Sequence, residues 1–286
     1  MSGPRVGVAG VGAMGLGIAK AMLRKGVEVH VRDIVAERER EAIEAGARGL
    51  AGPVDILVSV VVDARQTREV VRDHAHLAPV FMMCSTIAPA DSAAIAQELS
   101  AKGVAMLDAP VSGGPGRAHA GTLSMMASGS DAAFAGCKPA YEAFTAKFFR
   151  VSARPGDGSR MKIVNNMCAA ANLAAGAEAM ALAVKLGLDP TQVADVVQVS
   201  SGESWMFGEH MPRVIAADYA PRAAARVLVK DVGLFVEAAR AEGIEPPMAL
   251  CALEAFRDTV ARGYGEEDLA AVMKRYGDLW GVKVPR

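Results

Sequence analysis

Gly10, Gly12 and Gly15 form a G-x-G-x-x-G pattern directly after the apolar run Arg5–Ala9. Such spacing lets a chain turn sharply, lay its backbone against a pyrophosphate and open a helix whose amides face the phosphate charge. In that reading Gly10 serves the turn, Gly12 the close approach and Gly15 the packing of helix on strand. Asp33 follows Gly15 by 18 residues, after a second apolar run, where a carboxylate can bond a ribose 2′-hydroxyl. Its charge would repel a 2′-phosphate, which favours NAD over NADP. Arg32 pulls the other way if its guanidinium turns inward; the reading adopted is a solvated side chain. The alternative for the whole pattern is an ordinary tight βα turn with Asp33 on the surface.

A second candidate is Asp108–Gly114, a strand end leading into a turn of small residues. Backbone amides at Gly113 and Gly114, with the Ser112 hydroxyl, suit a carboxylate. A purely structural Gly-Gly turn is the competing reading. A third is Lys162 with Asn166, four residues apart and so on one face of a helix. Their flanks are apolar, which favours burial over the usual surface fate of lysine.

The elements that must carry these residues alternate. Arg5–Ala9, Val27–Val31, Asp55–Val62, Val80–Met83, Val104–Leu107 and Leu123–Ala127 are strand candidates, and Ile18–Lys25 is a helix stopped by Gly26. Asp55–Val62 is almost continuously apolar, as a strand buried on both faces would be. The pattern predicts an α/β fold, with an N-terminal Rossmann doubly wound sheet followed by an all-α C-terminal domain. From about Gly158 strand-like runs are scarce, and Gly187-Leu188-Asp189-Pro190 ends one helix and caps the next. The expected domains are residues 1–160, dinucleotide-binding, and 161–286, helical, for substrate and dimerisation.

With 52% hydrophobic and 22% charged residues, the 286-residue chain can bury a sizeable core. A net charge of −1 argues against a nucleic-acid partner held by a strong positive field. Cys84, Cys137, Cys168 and Cys251 form no C-x-x-C pair and have no histidine at ligand spacing, so no metal site is expected. Scattered cysteines and a start without signal-peptide features fit a cytoplasmic protein. The Ala-rich stretch Ile163–Leu188 is interrupted by Asn165, Asn166, Asn172, Glu178 and Lys185, and is expected to be a buried helix, not a membrane span.

Five ordered segments together resemble the β-hydroxyacid dehydrogenases, the family of 3-hydroxyisobutyrate dehydrogenase. They are V-A-G-V-G-A-M-G with Met14 in the turn, C-S-T-I-A-P (Cys84–Pro89), D-A-P-V-S-G-G (Asp108–Gly114) followed by A-G-T-L, K-I-V-N-N (Lys162–Asn166), and Lys230-Asp231. The C-terminal half resembles the L-threonate dehydrogenase branch through Ser201–Arg222 and G-Y-G-E-E-D at Gly263–Asp268. Met83 departs from the acidic residue frequent before the serine-threonine loop. Pro115-Gly116-Arg117 replaces residues that are more often small or aliphatic, so Arg117 and His119 bear on loop shape or specificity.

The resemblance implies an NAD-dependent oxidation of a small 2- or 3-hydroxy acid, with NADP as the other cofactor candidate. It implies a homodimer or homotetramer, and neither nucleic acid nor membrane as partner. Lys162 would take the alcohol proton as hydride leaves the same carbon, and Asn166 would orient the substrate. A lysine base needs its pKa lowered towards ~7–8, by burial or a second cation such as Lys230. Ser112, Gly113, Gly114 and Lys230 would bind substrate. Cofactor would meet Gly10, Gly12, Ala13, Met14, Gly15, Arg32, Asp33, Val61, Val62, Ser85, Thr86, Lys230 and Asp231. Ser85 and Thr86 also read as helix caps before Pro89, and Lys230-Asp231 as a surface pair. Trp205, Met206 and Phe207 would wall the substrate pocket or fill the helical core, and His210, Arg213 and Arg222 are lesser substrate candidates. His30, His74 and His76 have no motif behind them. Two other functions compete: an imine reductase of the same architecture, against which Lys162 argues, and a catalytically silent nucleotide-binding protein, against which Ser112, Lys162 and Asn166 argue. The 6-phosphogluconate enzymes share the architecture, but are longer and need a phosphate cluster.

Overall fold

The computed structural model describes residues 3–283. They form two compact units, divided between Lys162 and Ile163. The first begins with β1 (Arg5–Ala9), α1 (Ala13–Arg24), β2 (Glu28–Arg32), α2 (Ala36–Glu44), β3 (Arg48–Gly49) and β4 (Ile56–Ser59). It continues through α3 (Ala64–His74), β5 (Val80–Met83), α4 (Pro89–Ala101), β6 (Ala105–Asp108), β7 (Val111–Ser112) and α5 (Gly114–Ala120). β8 (Leu123–Ser128), α6 (Asp131–Phe144) and β9 (Thr145–Ser152) complete it.

The sheet order is β3-β2-β1-β4-β5-β6-β8-β7, with β9 also on β8. Pairing is parallel from β3 to β6 and antiparallel where β8 meets β6 and β7. This is the Rossmann sheet that the alternation predicts, with core residues on both its faces. Val6, Val8, Ile56 and Val58 enter one apolar cluster, and Leu57, Phe81 and Met83 another.

Three differences from the expected elements have physical reasons. The run Asp55–Val62 leaves the sheet after Ser59, because the Val61 amide donates to Ser85 Oγ and the Val62 amide to Gln66 Oε1. Side chains replace strand partners there. Helix α1 starts at Ala13, well before Ile18, because the Leu16 amide already bonds the Gly12 carbonyl. β9 was not expected: most of its residues are exposed, so it carries no burial alternation to read.

Helix α7 (Asp157–Lys185) begins in the first unit and continues in the second. α8 (Pro190–Gln198), α9 (Trp205–Ile215), α10 (Ala225–Ala241), α11 (Pro247–Thr259) and α12 (Val272–Trp280) follow. Asp189 caps α8 by accepting from the Gln192 amide at 3.0 Å, with Pro190 in the first turn, as its sequence predicts. Leu173, Met180, Phe207, Met211, Val232 and Phe256 centre the apolar core of this unit. α7 is long and apolar enough to cross a membrane, with a mean hydropathy of 1.5 over its best window. Only one of its faces is buried: Ala170, Leu173, Ala177 and Met180 lie in the core, while Val164 and Leu182 are exposed.

Candidate active site

The glycine turn between β1 and α1 is held from beneath. A Cβ on Gly10 would lie 2.5 Å from the Val60 carbonyl oxygen, and one on Gly15 would lie 1.9 Å from that of Gly10. Both positions therefore need glycine for packing alone. Gly12 is different: the nearest atom to a Cβ there is the end of the Arg38 side chain, at 3.8 Å. Its open side faces a cleft lined also by Gly10, Asp33, Ile34, Val61 and Arg38. Among the described residues no side chain caps α1, so its first-turn amides are available to an anion. These features fit a dinucleotide pyrophosphate.

Asp33 is buried at the edge of this cleft. Its carboxylate accepts from the Val11 amide at 2.7 Å and the Val35 amide at 2.9 Å, tying the glycine turn to the end of β2. Arg32 also lines the cleft, but its guanidinium lies 3.4 Å from Glu39. Glu39 in turn accepts from the Asp33 amide. Ala13 is exposed, Met14 and Val61 half-buried, and Val62 exposed.

Ser85 follows β5 and is buried, and it accepts from the Val61 amide at 3.2 Å. It therefore fastens two adjacent strand ends rather than capping α4, whose N-cap is Ala88. Thr86 beside it is half-buried. Ser112 closes β7, and Gly113 and Gly114 lead into α5, all three half-buried. The Arg117 side chain folds back over Gly113, into the space a Cβ would take. Arg117 thus stands against the candidate carboxylate turn.

Lys162 is 7% exposed and Asn166 8% exposed, on the same face of α7. Asn166 is oriented by two neighbours. Its amide nitrogen donates to Asp231 Oδ2 at 2.6 Å, and its amide oxygen accepts from Asn165 at 3.0 Å. Lys230 Nζ lies 2.7 Å from Asp231 Oδ1. Asp231, nearly fully buried, thus joins Lys230 and Asn166 in the second unit. Sequence reading placed Asp231 at the cofactor; its role towards Asn166 has no local signal, since 65 residues separate the two.

Asp108 is fully buried at the end of β6. It accepts from the Gly156 amide at 2.8 Å, the Ser159 amide at 2.9 Å, Ser159 Oγ at 2.8 Å and Ser128 Oγ at 3.2 Å. Burial pushes its carboxyl pKa up, against the pull of these hydrogen bonds. It was read only as the start of a motif; an acidic residue closing an apolar run was the available signal.

The lesser candidates separate. Met206 and Phe207 are core residues, while Trp205 is half exposed. His210 and Arg213 are buried around Asp268, whose Oδ1 lies 3.3 Å from His210 Nδ1 and 2.5 Å from Arg213. Its Oδ2 accepts from the Arg222 amide at 3.1 Å. Two segments that carry the threonate-branch resemblance, Ser201–Arg222 and Gly263–Asp268, therefore meet in a buried ion cluster. His30 is half-buried beside Glu28, His74 is half-buried, and His76 is exposed. Among the described residues no cluster of His, Cys, Asp or Glu could hold a metal ion.

Both parts of the chain match known family models. Residues 5–152 match the family model for the NAD binding domain of 6-phosphogluconate dehydrogenase. Residues 156–276 match the one for the NAD-binding domain of NADP-dependent 3-hydroxyisobutyrate dehydrogenase. An L-threonate dehydrogenase of Escherichia coli is 39% identical, with 98% of this chain and 96% of that protein aligned. An NAD-dependent L-serine dehydrogenase of Pseudomonas aeruginosa is 33% identical over 95% of this chain and 97% of its own. The crystal structure of a 3-hydroxyisobutyrate dehydrogenase from Salmonella typhimurium superposes with a TM-score of 0.89 at 42% identity, covering 94% of this chain and 99% of that one. The chain belongs to the β-hydroxyacid dehydrogenase family, the NAD(P)-dependent oxidoreductases that include 3-hydroxyisobutyrate dehydrogenase.

Proposed function

We propose that this protein oxidises L-threonate, or a closely related small hydroxy acid, with NAD. The observation that carries the chemistry is Lys162: a lysine almost fully buried, on the helix face it shares with Asn166. An amine within reach of the substrate hydroxyl can take or return a proton as general base or acid. In the proposed step the substrate hydroxyl gives its proton to Lys162 Nζ, and the carbon bearing it loses a hydride and becomes a carbonyl. A bound NAD would supply the acceptor for that hydride and its electron pair. Ser112 and the Gly113 and Gly114 amides hold the substrate carboxylate. Asn166, fixed by Asp231, orients the hydroxyl, and Lys230 adds positive charge for the anionic acid. Identity to L-threonate dehydrogenases over almost the whole chain supports the substrate.

The cofactor preference rests on Asp33, a carboxylate held at the cleft edge by two backbone amides. Glu39 beside Arg32 supports it by drawing the guanidinium aside. Val164 and Leu182 on α7, with Leu186 just beyond its end, leave an exposed apolar stripe, and a second copy of the chain is its occupant in the homodimer or homotetramer proposed.

The test of the chemistry is Lys162→Ala. Turnover of L-threonate should fall by about 10²–10⁴-fold, the usual contribution of a general base, while NAD binding by fluorescence titration stays near wild type. Unchanged turnover would remove Lys162 from the mechanism.

A further inference from the structure

We infer that Asp108 is a positioning residue for Lys162: it seats the first turn of α7 on the end of the sheet and so sets the direction from which the lysine reaches the substrate. This rests on the reading of Lys162 as the base. A carboxylate buried in a sheet is disfavoured unless its oxygens are fully satisfied. The hydrogen bonds Asp108 receives come from Ser128 and from the start of α7, at Gly156 and Ser159. The Ser159 amide lies in the first turn of α7, where no intrahelical acceptor exists. Ser128 adds a further clamp, accepting from the Gly158 amide at 2.9 Å while donating to Asp108. One carboxylate and one hydroxyl therefore hold three amides within four consecutive residues.

A helix can usually be capped by the residue before it, which satisfies its amides and leaves its direction free. Here the cap comes from β6, 51 residues away from Ser159, so capping and orientation are the same contact. Gly158 sharpens it: a Cβ there would lie 2.6 Å from the Asp108 carbonyl oxygen and 2.7 Å from that of Met126. The helix thus meets the strand ends with backbone against backbone. Lys162 is four residues beyond Gly158 and emerges on the same face. Any roll of α7 that relieved the loss of Asp108 would carry Lys162 with it. Asp108 also opens the segment that runs to Ser112, so it holds the carboxylate turn and the lysine helix to one point.

The test compares Asp108→Ala and Asp108→Asn with Lys162→Ala, using L-threonate and NAD. Asparagine keeps the shape: its oxygen can accept from the Gly156 and Ser159 amides, and its NH2 can donate to Ser159 Oγ. Asp108→Ala should lower kcat by about 10- to 100-fold, the scale of an ångström's misplacement, with the NAD dissociation constant within about twofold of wild type. It should also raise the primary deuterium isotope effect on kcat, for substrate labelled at the oxidised carbon, because the chemical step alone is slowed. Asp108→Asn should recover most of both. A merely structural residue would lower the folded fraction, leaving kcat per folded molecule and the isotope effect unchanged; that result overturns the inference, as does equal loss in both Asp108 variants. If Asp108→Ala does not fold, Ser159→Ala carries the test, with a smaller fall in kcat and the same rise in isotope effect; wild-type values in that variant overturn the inference. Full turnover by Lys162→Ala instead defeats the lysine reading. Loss there with normal kcat in folded Asp108→Ala defeats only the positioning.

Discussion

Asp33 has a structural role in the glycine turn, and the proposed cofactor preference would add a selective one. Both its oxygens bond backbone amides, one in the glycine turn and one before α2, so it shapes the turn before any ligand arrives. A carboxylate oxygen has more than one lone pair, so acceptance from a ribose hydroxyl remains open to it. Asp33→Ala is therefore expected to weaken NAD by about tenfold or more, equivalent to ~1.4 kcal/mol, and to narrow the preference over NADP. Titration with both cofactors checks this; an unchanged ratio would show that selection lies elsewhere. Its placement was legible from the distance to Gly15. Its bonds to Val11 and Val35 were not, because they depend on how the β2 end meets the turn.

At the scale of elements, the first turn of α7 joins the sheet through close backbone contact. Gly158→Ala would gain helix propensity of up to ~1 kcal/mol. The new methyl group would meet two carbonyl oxygens that belong to strands and cannot move aside cheaply. Overpacking of this kind costs about 1–3 kcal/mol, so the clash should win, lowering the urea midpoint and reducing kcat. A midpoint at or above wild type would mean that the helix shifts without cost. Six strands of the first unit, β1, β2, β4, β5, β6 and β8, were readable because buried strands are apolar runs. β3 and β7 escaped because two residues make no pattern, and β9 because it is largely solvated.

For the molecule as a whole, stability and assembly give separate predictions. Burial works against the charge on Asp268, but hydrogen bonds from His210, Arg213 and the Ala270 and Arg222 amides outweigh it and hold the carboxyl well below the usual carboxylate range. A carboxyl depressed in the folded state adds stability that is present above the ordinary value of about 4 and is lost as pH falls through the folded-state value. Asp268→Asn should cost about 3 kcal/mol at pH 7, because it removes the nearer of the two carboxylates around buried Arg213 and leaves only Asp218, at 3.5 Å. The gap from wild type should close as the solution is acidified below pH 4. Denaturant titrations at pH 7 and pH 3 test this, and an equal gap at both would show that the charge is not what matters. On the exposed apolar stripe formed by Leu182 of α7 and Leu186 just beyond its end, Leu182→Glu with Leu186→Glu should turn the proposed oligomer into monomers in sedimentation, with each monomer still folded. An unchanged sedimentation coefficient would place the interface elsewhere.

The sequence by itself determined what depends on neighbours along the chain: the glycine turn, the strand and helix periods, the Asp189 cap, and the shared face of Lys162 and Asn166. It also contained the ordered motifs that mark the family. Tertiary structure alone decided the pairings between distant residues. Asp108 meets Ser159 across 51 residues, and Asp231 meets Asn166 across 65. Asp268 gathers His210 and Arg213, two of the lesser substrate candidates, into one buried ion cluster. Periodicity tells which face of an element is apolar, but not which other element will cover it. That choice follows from the path of the whole chain, and it turns the aspartate of D-A-P-V-S-G-G from a motif letter into the seat of the lysine helix.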